Sequence, residues 1–127
     1  MNRHQAREKA FQILFQLELN DQDLQQAMKD LTAEGTYVQD PFLVKLAEGV
    51  TAHKEVIDSA IAAHLANWSI DRIATAERTI LRIAVYEMKY LEDIPTNVSI
   101  NEAVELANVY GDEKSGKFVN GVLSKIV

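Results

Sequence analysis

The sequence predicts an all-α fold. Apolar residues recur at helical period from end to end, no stretch keeps period-two alternation, and no Asn-Gly turn separates two apolar runs. The central feature is Thr75 to Leu91. There Ile80, Leu81, Ile83, Ala84, Val85, Met88 and Leu91 cover well over half of the helical circumference and confine Arg78, Arg82 and Lys89 to a narrow strip. A helix so apolar is expected to be surrounded by others. Glu77 and Glu87 project into its apolar arc, and a buried carboxylate needs a cation or a donor. One reading pairs them with Arg72, Arg78 or Arg82; the other places Glu77 where a second protein docks.

The remaining elements follow in order. The first helix is expected from Asn2, a cap with Gln5 three residues on, to about Leu19, with Ala6, Ala10, Ile13, Leu14 and Leu17 as its core stripe. Phe11 and Phe15 fall off that stripe, on the side of His4, Arg7 and Glu8. Either the helix packs on two sides or a ring faces outward. A second helix is expected over 21–32, breaking at Gly35. Asp40-Pro41 restarts the chain with a capping carboxylate and a proline at the first helical position. One long helix then extends to about Ala66, with Gly49 as a weak point. Asn67-Trp68-Ser69 is a junction, and 69–74 a short helical turn. The central helix ends before Ile94-Pro95. Ser99-Ile100-Asn101-Glu102 fits a capping box, so the next helix is expected there, ending at Gly111. After the loop GDEKSG, a last helix from about Ser115 buries Val119, Val122, Leu123 and Ile126. Lys114, Gly121 and Lys125 line up on its other side, flanked by Lys117 and Phe118. A glycine inside a helix implies close approach of something to the backbone: a neighbouring helix of this chain, or a ligand.

Composition narrows the function classes. The 127 residues suit one domain that needs no staple, and the absence of cysteine excludes disulfides and thiolate chemistry, with a reducing cytoplasm as the natural setting. No apolar run is long enough to span a membrane, and the N-terminus has no signal-like apolar region. A formal charge of -6 argues against a general nucleic-acid coat protein but leaves room for a local basic patch.

Catalytic and metal readings fare badly, and no cofactor is expected. His53 and His64 share a helical face but lie about 16 Å apart along an unbroken helix, too far to ligate one metal. The segment 111–117, GDEKSGK, fits G-x4-G-K of the phosphate-binding loop. Phe118, however, stands where a magnesium-binding Ser or Thr belongs, and the segment follows a helix instead of a strand. It suits an anion-binding helix start better. Single-stranded RNA requires phosphate neutralisation and rings for stacking. Arg3, His4 and Arg7 with Phe15, and Lys114 and Lys117 with Phe118, supply both, although a lysine face on a surface helix is ordinarily just solvated.

The string ERTILRIAVYEMKYLEDIPTNVSINEAVELANVYGDEKSGKFVNGVLSKI, together with the N-terminal RxxxxKAFQILFQLEL, closely resembles the NusB family of transcription antitermination factors. The similarity is specific through LR-x-A-x-YE, IP, INEA-x-ELA and KFVNGVL, and thin between about Asn20 and Asp40. The resemblance implies a single domain of about seven helices in two small bundles set across each other, residues 1–66 and 67–127. It also implies a non-enzymatic role in antitermination complexes of RNA polymerase on ribosomal RNA transcripts. There the family binds boxA RNA with the small-subunit ribosomal protein that doubles as Nus factor E. Matched position by position, the family's RNA surface falls on Arg3, His4, Arg7, Phe15, Lys114, Lys117, Phe118 and Asn120. The partner contact falls near Glu77 and Arg78. Two departures bear on affinity. The arginine-rich start of better-known relatives is thinner here, implying weaker RNA binding without the partner, whereas Lys114 replaces an acidic residue of some relatives. Some members form homodimers that cover the RNA face, so a homo-oligomeric interaction module with incidental RNA binding is the alternative. A further alternative is an accessory domain of an rRNA-modifying system.

Overall fold

Asn2 starts the first helix as its sequence requires: its Oδ1 accepts from the Gln5 amide at 2.8 Å, and its own amide donates back to Gln5 Oε1 at 3.0 Å. The computed structural model describes residues 1–31, 40–66 and 69–127, and these are all helical or connecting. They fall into two compact units, Met1–Ala52 and His53–Val127. The sequence reading had drawn the division at 66/67.

In the first unit, α1 (Arg3–Asn20) packs against α2 (Leu24–Leu31) and α3 (Pro41–Ala52). Ala6, Ala10, Ile13 and Leu14 are buried as expected, and Phe11 joins them. Asp21 does not open α2. It closes α1 in the left-handed conformation with φ 50, and Asp23 caps α2 instead through the Gln26 amide at 2.8 Å. Asp40 caps α3 as anticipated, accepting from the Phe42 and Leu43 amides at 3.0 Å each. The expected break at Gly35 and the Asn67-Trp68 part of the junction lie outside the described residues.

The long helix expected to reach Ala66 is two helices, α3 and α4 (Lys54–Ala62), parted at His53 and not at the buried Gly49. Two causes are visible. Thr51 Oγ1 donates to the Ala47 carbonyl at 2.8 Å, a back-bond that bends helices. The His53 ring stacks on Tyr90 at 4.4 Å, with Tyr86 at 6.2 Å, while its backbone leaves helical values. After Ala62 the chain tightens into turns, His64 to the Ile61 carbonyl and Leu65 to the Ala62 carbonyl.

The second unit is arranged around α5 (Thr75–Tyr90), which packs against α4, α6 (Thr96–Tyr110) and α7 (Ser115–Ile126). Every residue from Thr79 to Glu87 is buried. Each large aliphatic among them contributes about 1.5–3 kcal/mol through burial. A 3-10 turn, Ile70–Arg72, leads into α5 where a short helical turn was expected. α6 begins four residues earlier than the capping-box motif suggested, with Pro95 and not Ser99 at its cap position. Pro95 ends the preceding turn, and Ser99 lies inside the helix, buried, donating to Glu87 Oε1 at 2.8 Å. The motif's serine thus satisfies a buried carboxylate of α5.

Candidate nucleic-acid interface

In the first unit, the basic residues of α1 meet a ring of α3. The guanidinium carbons of Arg3 and Arg7 lie 4.7 Å and 5.1 Å from the Phe42 ring centre, within cation–π range. Arg3 and His4 are exposed, whereas Arg7 is only 4% exposed. Phe15 is half-buried and stacks on Phe11 at 5.5 Å. Of the N-terminal RNA candidates, then, Arg3 and His4 reach solvent, Phe15 does so in part, and Arg7 lies under the surface.

In the second unit, the turn between α6 and α7 is built to present lysines. Asp112 Oδ1 accepts from the Lys114 amide at 2.8 Å, and the Asp112 amide donates to Ser115 Oγ at 3.0 Å. Ser115, itself buried, donates its hydroxyl proton to Glu77 Oε2 at 2.7 Å, tying the start of α7 to α5. Gly111 permits this closure, because a Cβ there would run into the Ser115 side chain. Lys114, Lys117 and Asn120 are exposed, and Phe118 is half-buried. Lys114 and Phe118 line a cleft of about 320 Å³ with Glu77, Arg72 and Asp112. One cleft therefore holds two of the candidates for RNA contact, Lys114 and Phe118, and one of the two for partner contact, Glu77.

The α5 carboxylates acquire partners that the sequence reading did not name. Glu77 meets Ser115, and Glu87, 1% exposed, meets Ser99. Of the arginines proposed for them, Arg82 makes a two-pronged pair with Asp58 at 2.8 and 2.9 Å. Arg78 donates to the carbonyls of Ile70 and Ile73 at 3.3 and 3.1 Å and so clamps the 3-10 turn onto α5.

A chain with this helix order, this cation-flanked aromatic at the start of its last helix, and a sequence matching the NusB family profile over residues 4–127 leaves no choice of family. The chain belongs to the NusB family. It is 61% identical over 127 residues to the transcription antitermination protein NusB of Oceanobacillus iheyensis, covering 100% of this chain and 99% of that protein. It is similar to a solved NusB of T. maritima, with a TM-score of 0.89 at 37% identity over 99% of this chain and 90% of the other. A crystal structure of the antitermination factors NusB and NusE in complex with dsRNA matches with a TM-score of 0.85 at 36% identity, over 99% and 97% of the two chains.

In this member of the NusB family, two residues that shape the site give little sign of it in the sequence. Phe42 counts in the sequence only as one of the apolar residues that support a helix after Pro41, and nothing but its place at the start of α3 hints that it meets Arg3 and Arg7. Ser115 reads as an ordinary loop serine, because its partner Glu77 lies 38 positions away in the chain.

Proposed function

We propose that this chain is a non-enzymatic antitermination factor. It binds boxA RNA of ribosomal RNA transcripts together with the small-subunit ribosomal protein that serves as Nus factor E, within antitermination complexes of RNA polymerase in the cytoplasm. It acts as one domain. The observation that carries this reading is the start of α7, where exposed Lys114 and Lys117 flank the partly exposed Phe118 ring. The whole-length likeness to NusB proteins supports it.

In this mechanism no bond is made or broken. Lys114 and Lys117 neutralise phosphates while Phe118 offers a face for an unstacked base, a contact worth about 1–3 kcal/mol. Asn120 adds an amide that can both donate and accept. Arg3, His4 and Phe15 provide a second basic and aromatic surface, with Arg7 holding the first turns of α1 in place over Phe42. The partner protein docks near Glu77 and Arg78, where the Ser115–Glu77 hydrogen bond links that contact to the lysine-bearing turn.

Fluorescence titration of labelled boxA RNA tests the reading. Affinity should fall linearly with salt on logarithmic axes. Phe118→Ala and Lys117→Ala should each weaken binding by roughly fivefold or more, in line with one lost stack or one lost phosphate contact. Unchanged affinity in both variants would remove the site.

A further inference from the structure

Gly121 lies in the interior of α7, where glycine is unfavourable relative to alanine. The other two glycines of this region have an internal reason. A Cβ on Gly111 would strike Ser115, and one on Gly116 would lie 2.6 Å from Asn108 Oδ1. Gly121 has none. Among the described residues, its two chain neighbours and the backbone of its own helix aside, no heavy atom comes within 4 Å of a Cβ placed there, and the residue is exposed. Close helix packing inside the chain, one of the two explanations its sequence allowed, is therefore ruled out for those residues.

What surrounds Gly121 is cationic. Lys117 and Lys125 stand one helical turn before and after it, both exposed, and so lie about 12 Å apart along the axis. With Phe118 and His64 they line a groove of about 240 Å³. Asn120 and Ser124, also exposed, keep the neighbouring surface polar. Leu65, Ala66 and Val122 complete the lining of the groove, so it is the two ammonium groups, and not an absence of apolar surface, that set the charge of what it accepts. On a chain of net charge -6, two lysines astride bare helix backbone select a polyanion.

We infer that Gly121 and Lys125 form a second RNA subsite, in which the sugar–phosphate backbone of a strand whose base stacks on Phe118 continues along α7. The missing side chain lets the strand lie against the helix, so that Lys117 and Lys125 contact phosphates of the same strand. This inference rests on the RNA-binding reading above and extends its track by two turns of helix.

Gly121→Ala and Lys125→Gln, in the full chain, test it through thermal unfolding and titration with labelled single-stranded boxA RNA. Gly121→Ala should unfold at the same or a higher temperature, since alanine favours the helix, and yet bind RNA at least fivefold more weakly. Lys125→Gln should weaken binding and lower the logarithmic salt slope by about 0.7, the value for one phosphate contact on a single strand. Parent-like affinity in either folded variant overturns the subsite. If Lys117→Ala and Phe118→Ala still weaken binding in that same titration, the RNA-binding reading survives. If all four variants bind as the parent does, both fall. Loss of binding to the ribosomal partner alone, with RNA affinity unchanged, would make the face a protein contact and likewise overturn the inference.

Discussion

Two patches of this molecule combine cations with an aromatic ring, and they use the combination in opposite ways. At the start of α1, the guanidinium groups of Arg3 and Arg7 lie over Phe42, and Arg7 is nearly sealed. At the start of α7, the Lys114 and Lys117 side chains are exposed beside a half-buried Phe118. The difference follows from the side chains. A guanidinium is planar, delocalised and weakly hydrated, so it tolerates partial burial against a ring. A lysine ammonium is a compact, strongly hydrated charge that keeps its head in water. The arginine patch is thus largely engaged in holding its own unit together, and the lysine patch is held ready for something else.

This contrast predicts that the two rings differ in what they stabilise. Phe42→Ala should lower unfolding stability in denaturant titration by about 2 kcal/mol, through lost burial and the loss of two cation–π contacts. Phe118→Ala should cost less than about 1 kcal/mol, because its ring, half-buried like that of Phe42, holds no guanidinium in place among the described residues, while its effect appears in RNA affinity. Equal stability losses would erase the distinction between the patches. A smaller effect concerns the stacked rings of His53, just ahead of α4, and of Tyr86 and Tyr90 on α5. Burial, and secondarily the neighbouring Tyr90, raise the pKa of the Tyr86 phenol above its ordinary value. The folded state then holds this proton more tightly than the unfolded state. The stabilisation is complete below the ordinary tyrosine pKa and is lost as pH rises through the raised, folded-state value. Alkaline thermal melts should show this decline, and Tyr86→Phe should flatten it.

Where structure is decided by near neighbours, the sequence was legible. Asn2 with Gln5 and Asp40 with Pro41 cap their helices as expected, since a cap needs only residues within one turn. The α5 core stripe was equally plain, because its period alone specifies a surrounded helix. Most of the errors come from distant partners, the left-handed Asp21 that ends α1 being a local exception. His53 parts α3 from α4 beside a local back-bond, Thr51 to Ala47, but also through stacking on Tyr90, which no local pattern encodes. Ser99-Ile100-Asn101-Glu102 has the form of a helix start, yet Ser99 is taken up by Glu87 from another helix. The candidate site divides in the same way. Lys117 and Phe118 are presented by α7 as its helical period indicated, but the burial of Arg7 depended on where Phe42 arrived. Gly121 was noticed in the sequence, and only the packing around it could separate an internal cause from an external one.

Amide chemical shifts, followed while boxA RNA is titrated into isotope-labelled protein, bear most directly on the role of α7. The largest changes at low RNA ratios should fall on Lys114, Lys117, Phe118 and Gly121, with those of the buried α5 residues Ile80 to Val85 small. Shifts concentrated elsewhere, with the α7 amides unmoved at saturation, would contradict the assignment of the lysine-flanked face to RNA.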